Sequence, residues 1–273
     1  MTTADGTIYG SEVTFTASSV TPVGDDGKPC SGTPTVTDHE GNVYNTVQIG
    51  NQCWMKDNLR TTTSPSTGKY LIPAADAGQT LTGKQARWYN NDSVTSAQMK
   101  YGLLYNWNAA VDTFNTAFEE TSVNDNNNNN IVVTFTGHRR GICPIGWHLP
   151  SDAEWTILDN YVSSQSEYVC GGNTTNTAKA LASATGWISS SNTCVVGNEQ
   201  CLNNATGFSA VQAGFWSYPS FYLVGNNVFF WSSTQGVTYN NYAFTRLISY
   251  DYPDLYRNDN YKGSGYSVRC LRD

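Results

Sequence analysis

A chain of 273 residues with 13% aromatic side chains can build one large core or two ordinary ones, which excludes a disordered tail or linker as the reading. A formal net charge of −7, with no run of basic residues, argues against nucleic acid or an anionic membrane surface as partner. Charged residues are only 14%, so Asn, Ser, Thr and Tyr must supply the polar surface, a balance expected of rigid extracellular domains.

No segment approaches the roughly 18 consecutive apolar residues of a membrane span, so no membrane insertion is expected. Met1-Thr2-Thr3-Ala4-Asp5 has no export-signal character, and the expectation is a secreted or outer-membrane-associated chain whose signal has been removed. Seven cysteines (Cys30, Cys53, Cys143, Cys170, Cys194, Cys201, Cys270) occur without a C-x-x-C pair and beside only three histidines, a poor basis for zinc. Disulfides formed in an oxidising compartment explain them better, with one thiol left over; buried reduced cysteines are the plainer alternative.

Residues 1–34 read as one weakly alternating strand, around Ile8-Tyr9 and Val13-Thr14-Phe15-Thr16, and a turn-rich linker. The main domain is expected at 35–273. It opens with strand, turn and strand over Val36–Tyr44, and Val47–Met55 continues as a hairpin. Residues 61–100 predict mostly loop, with Arg87-Trp88-Tyr89 as a short strand. Tyr101–Val111 reads as strand running into a short helix within the core. Asn124–Asn130 is a polar surface loop; Asn130 replaces the glycine of a calcium loop and Thr136 its bidentate glutamate, so no metal is assigned there.

Ser151 and Glu154 have capping-box spacing, which starts a helix whose Trp155, Leu158, Tyr161 and Val162 face a core while Asp159 and Asn160 face water. Pro150 disfavours helix upstream, leaving 146–149 extended. Thr177–Ala182 predicts a second short helix. Phe229–Thr234, Tyr242–Leu247 and Gly265–Cys270 are the later strand candidates. Two central helices with strands on either side give an α+β domain with long loops.

Six stretches carry a resemblance: Gly50–Arg60 (GNQCWMKDNLR), Tyr101–Trp107 (YGLLYNW), Cys143–Trp155 (CPIGWHLPSDAEW), Gly207–Ala210 (GFSA), Phe230–Thr234 (FWSST) and Ser267–Cys270 (SVRC). In order and spacing they resemble the Fibrobacter succinogenes major paralogous domain family over about residues 35–273. That family looks related to the formylglycine-generating sulfatase-modifying enzymes and to the C-type lectin fold. Its members are mostly exported or surface proteins of Bacteroidetes, with function largely undefined. The resemblance implies a C-type lectin-like α+β fold with two helices, short antiparallel sheets and long loops, in which the chain near Val268 neighbours Cys143. It also implies a Cys143–Cys270 disulfide, worth roughly 4–5 kcal/mol for so long a loop. Cys30–Cys53 and Cys170–Cys194 are the remaining expected pairs, with Cys194–Cys201 as the rival and Cys201 otherwise free.

An enzyme reading finds little. The sulfatase-modifying enzymes use a cysteine pair near the C-terminus, where this chain has Cys270 alone. His148 beside Asp152 is a possible acid–base pair only by adjacency, and Trp147-His148-Leu149 reads as strand packing. No catalytic residue, cofactor or metal is assigned, Asp251, Asp254 and Asp259 included. Residues 238–261 are more informative, since more than half are Tyr, Asn or Asp, the mix that paratopes use. On the implied fold part of this stretch faces ligand. The expected binding residues are Tyr222, Asn226, Tyr239, Asn241, Tyr250, Tyr252, Asp254, Tyr256, Asn258 and Tyr261, with Asn227 beside them; turns and β-ladders favour the same residue types. The segment also resembles the variable region of retroelement-diversified proteins.

The first reading is therefore an exported surface-recognition or adhesion domain for a carbohydrate or a host or bacterial surface protein. The alternatives are an enzyme related to the sulfatase-modifying family, which a redox-active cysteine or bound copper would support, and a structural or pilus-associated module. The sequence fixes no oligomeric state.

Overall fold

The computed structural model describes residues 26–74, 76–79, 83–112, 137–236 and 239–273, and the backbone of 120–122 and 131–133. The expected strand around Ile8 and Val13, the Asn124–Asn130 run and Thr136 lie outside the described residues.

Three short strands come first: β1 (Thr35–Thr37), β2 (Val43–Ile49) and β3 (Gln52–Met55). The β2–β3 turn needs Gly50, which has φ 54° and lies so close to Tyr161 that a Cβ would sit 2.8 Å from its ring. β4 (Ala86–Arg87) and β5 (Leu104–Tyr105) form a small ladder around the helix α1 (Ser93–Gln98), and α2 (Trp107–Val111) follows. β6 (Glu120–Ser122) pairs with β7 (Ile131–Val133). Then come β8 (Trp147–His148), α3 (Asp152–Ser164) and α4 (Ala178–Leu181). The chain ends in β9 (Ala213–Ser217), β10 (Ser220–Val224), β11 (Asn227–Gln235), β12 (Tyr242–Ser249), β13 (Tyr256–Tyr261) and β14 (Leu271–Arg272).

Two five-stranded sheets organise these elements, in the orders β1-β2-β3-β14-β8 and β10-β9-β11-β12-β13. β14 closes the first sheet by placing Leu271 opposite both Trp54 and His148, so the C-terminal strand meets an early one. The Cys143–Cys270 disulfide joins the chain ahead of β8 to the residue before β14; Cys30–Cys53 and Cys170–Cys194 are the other two bridges, and Cys201 is free and exposed.

The aromatic residues explain why the sheets stay together. Trp155 on α3 stacks on Phe230 of β11 at 5.5 Å and lies 4.6 Å from Trp54 of β3, with Phe208 edge-on to all three. Phe208 and Phe230 are fully buried, and each such side chain contributes roughly 1.5–3 kcal/mol. On the other face of β11, Trp231 donates its indole N–H to the Tyr105 carbonyl at 2.7 Å and packs on Tyr266 at 4.6 Å, while Trp107 donates to the Ser232 carbonyl at 2.9 Å. Apolar bulk and a satisfied polar tip come from the same side chains.

α3 begins as its capping box requires: the Ser151 hydroxyl accepts the Glu154 N–H, and the Glu154 carboxylate accepts the Ser151 N–H at 2.7 Å. Asp159, expected in water, is instead partly buried and accepts a hydrogen bond from Thr177 at 2.7 Å; burial raises its pKa, against the lowering effect of that bond. α1 interrupts the stretch expected to be loop. It has no apolar periodicity, and is started by the Asp92 carboxylate accepting the Val94 and Thr95 N–H groups at 3.0 Å. Four helices therefore stand among the described residues: the two central ones, the short helix α2 expected at the end of Tyr101–Val111, and α1 in addition. Gly265–Cys270 is not a strand. Its residues bridge separately to Trp216 of β9, Tyr105 of β5 and Phe230 of β11, so the segment runs between the second sheet and the β4–β5 ladder before β14 forms.

Candidate functional site

Strand register puts five side chains into one row on one face of the second sheet. Tyr222 of β10 lies opposite Phe215 of β9. β9 and β11 run parallel with Gly214 beside Val228, so Phe215 is beside Phe229. Phe229 lies opposite Leu247 of β12, and Leu247 opposite Tyr256 of β13. The row Tyr222–Phe215–Phe229–Leu247–Tyr256 crosses all five strands, a span of about 19 Å.

This row is neither core nor ordinary surface. Tyr222 and Tyr256 are 40% and 48% exposed on the two edge strands, and the three side chains between them are half-buried. Phe215 stacks on Tyr222 at 5.3 Å and meets Phe229 edge-on at 5.2 Å. Buried Tyr266 stacks on Phe229 at 5.0 Å. Immobilised rings of this kind lose little side-chain entropy when a flat apolar ligand face docks on them.

The ten expected binding residues do not form one site. Tyr222 and Tyr256 are the ends of the row, and Asn258 lies two residues along β13 on the same face as Tyr256. Asn226 is in the β10–β11 turn, where its carbonyl accepts the N–H of half-buried Tyr250 at 2.8 Å. Tyr252 and Asp254 belong to the β12–β13 connection; between them the Pro253 carbonyl accepts the Ala178 N–H at 2.9 Å, which lays the connection over α4. Tyr239, Asn241 and Tyr261 are at the other end of the strands, where Tyr242 is 5.5 Å from Tyr239 and 6.1 Å from Tyr261. From Leu247 to Tyr242 along β12 is about 17 Å.

The expectation of a binding loop needs correction in a second respect. Tyr222, Tyr256, Asn258 and Tyr261 are strand residues, held in antiparallel ladders by the β-propensity that was the competing explanation for their abundance. Phe215, Phe229 and Leu247, the middle of the row, lie outside the Tyr/Asn/Asp composition. Phe229 sits in an alternating stretch, half-buried and buried over Asn227–Phe230 of β11, and that says nothing about which strands flank it.

The opposite face of the same sheet carries charge. Asp152 at the start of α3 accepts two hydrogen bonds from Arg257 Nε and Nη2, at 3.0 and 2.8 Å, and one from buried Arg246 at 2.5 Å. Burial raises the Asp152 pKa, but the two guanidinium groups outweigh it and hold the carboxyl below its ordinary range. Asp152 is thus not the partner of His148. His148 Nδ1 is 2.7 Å from Asp273 and Nε2 is 2.9 Å from Glu154, and His138 stacks on the His148 ring at 4.1 Å. Ligand atoms of His138, His148 and Asp273 lie within 4.8 Å of one another. Because carboxylates occupy both His148 nitrogens, the group is an ion-pair network beside the first turn of α3.

Fold and surface together define a sheet-rich α+β domain cross-linked by disulfides, with a half-exposed aromatic row on one sheet face. The chain belongs to the Fibrobacter succinogenes major domain family, which matches residues 47–272. Neither a curated protein nor a solved structure matches it. No helix among the described residues is long and apolar enough to cross a membrane.

Proposed function

We propose that this chain is a non-enzymatic recognition domain of an exported or cell-surface protein, with a C-type lectin-like chain path, and that it binds carbohydrate on the row Tyr222–Phe215–Phe229–Leu247–Tyr256. The row is the observation that carries the reading. A pyranose ring offers a flat face of C–H groups that stacks on aromatic side chains, while its hydroxyls reach polar neighbours such as Asn258. The meeting of β14 with β3 and β8, stapled by Cys143–Cys270, supports the lectin-like path. Three disulfides support an oxidising compartment. Cys270 is bonded to Cys143, so a sulfatase-modifying enzyme's reactive C-terminal cysteine pair has no counterpart among the described residues.

A glycan array probed with the wild-type chain and with the double variant Tyr222→Ala/Tyr256→Ala tests this. Both residues are edge-strand and exposed, so the variant keeps its melting temperature within a few degrees, and its array signal falls by about tenfold or more. Undiminished binding by a folded double variant contradicts the assignment.

A further inference from the structure

Three of the sequence stretches that mark the family converge on a cavity that the aromatic row does not use. It measures about 330 Å³, at the small end of ligand pockets, and is lined by Lys56, Asp57 and Asn58 from the stretch around β3, by Ser209, by Arg269 and by Lys100 just ahead of Tyr101. A second cavity of about 300 Å³ shares Asp57, Asn58 and Lys100 with it and adds Arg60 and Ser96. In a chain of net charge −7 this surface gathers four cations around one carboxylate.

Arg269 is the unusual member. It is 1% exposed, yet among the described residues no carboxylate forms an ion pair with it. Its Nε donates to Asn58 Oδ1 at 2.9 Å, one terminal nitrogen to the Ser209 carbonyl at 2.9 Å and the other to the Phe208 carbonyl, all neutral acceptors. A guanidinium has five N–H donors, so one on each terminal nitrogen has no described acceptor. A buried cation is ordinarily paired, because leaving water without a counter-charge is costly.

Its compensation is partial: the guanidinium lies 4.4 Å from the Phe208 ring, and the Asp57 charge acts on it without forming an ion pair among the described residues. Asp57, the carboxylate lining both cavities, is turned to the backbone N–H and side-chain amide of Asn45, at 2.7 and 2.9 Å. The ammonium groups of half-exposed Lys56 and exposed Lys100 have no hydrogen-bond or ion-pair partner among the described residues. In the second cavity the Ser96 hydroxyl is buried and has no hydrogen-bond partner among the described residues.

We propose that this paired cavity binds a small ligand through an oxyanion group, a carboxylate or a sulfate or phosphate, with Arg269 at its floor and Lys56 and Lys100 at its mouth. The ligand's negative charge completes the pairing that the protein leaves open, and Ser96 and Asn45 are placed to contact the uncharged part. This site is independent of the carbohydrate reading of the aromatic row.

Isothermal titration of the full chain with glucuronate, inorganic sulfate, inorganic phosphate and neutral glucose tests the proposal. Saturable binding of at least one anion, weakening as sodium chloride is raised and absent for glucose, is the expected result. Glucuronate alone assigns a sugar carboxylate as the source, and sulfate or phosphate alone assigns the inorganic group. Replacing Arg269 endangers the fold, so the variant is Lys56→Ala/Lys100→Ala, expected to melt like wild type and to bind at least about tenfold more weakly, while Lys56→Arg/Lys100→Arg retains binding. The Tyr222→Ala/Tyr256→Ala chain is expected to bind the anion unchanged. No anion binding, equal binding of glucose, or full affinity in the folded lysine double variant overturns the proposal, as does loss of anion binding in the tyrosine variant.

Discussion

His148 is a buried imidazole with a carboxylate on each ring nitrogen, and its protonation couples the C-terminus to the start of α3. Burial by itself lowers the His148 pKa, but the hydrogen bonds it donates to Glu154 and Asp273 and their charges overcome it and raise the pKa above its ordinary value. Burial pushes Glu154 up as well, yet the bonds from His148 and Ser151 hold it at about 2. A base with a raised folded-state pKa adds stability that is complete below its unfolded pKa, near 6.5, and disappears as pH rises through the folded value. His148→Asn is therefore expected to destabilise the chain most between about pH 5.5 and pH 6.5 and progressively less above that window, measured by urea unfolding. Half-exposed Asp273 and exposed His138 moderate the size of the effect but not its sign. A penalty that stays flat from about pH 5.5 to pH 9 rules out this role.

At the scale of elements, α3 is the joint of the molecule. Its apolar face holds β3 and β11 through Trp155, and its first turn holds β12 and β13 through Asp152 and the two arginines. Arg246 is buried and has only this carboxylate as a described ion-pair partner, so Asp152→Asn strands a desolvated cation. We expect a loss of about 3 kcal/mol, against about 1 kcal/mol for Ser151→Ala, which removes only a cap. Chemical denaturation of both variants checks the order. Equal losses would mean that Arg246 finds another partner.

Over the whole molecule, what could be read in advance was what is encoded locally. The Ser151/Glu154 capping box and the Trp155, Leu158, Val162 stripe lie within one helix, and the structure contains both. The helix α1 was invisible because one carboxylate, Asp92, starts it without any apolar pattern. Gly265–Cys270 looked like a strand because it is apolar and alternating, but its neighbours are three separate elements. The proposed binding surface was legible only at its two ends. Tyr222 and Tyr256 stood out by residue type, whereas Phe229 and Leu247 join them through pairings between strands that no single stretch encodes. Composition likewise grouped Tyr239 and Tyr261 with them, although the strands carry those residues to the far end of the sheet.

The same separation makes the central claim testable in one experiment. Side-chain NMR of the aromatic rings is recorded while a glycan that scores on the array is titrated in. Binding on the row predicts shifts in the ring signals of Tyr222, Phe215, Phe229 and Tyr256, and none in Tyr239 or Tyr261. Shifts confined to Tyr239, Tyr242 and Tyr261, with the row silent, contradict the account and move the binding surface to the opposite end of the sheet.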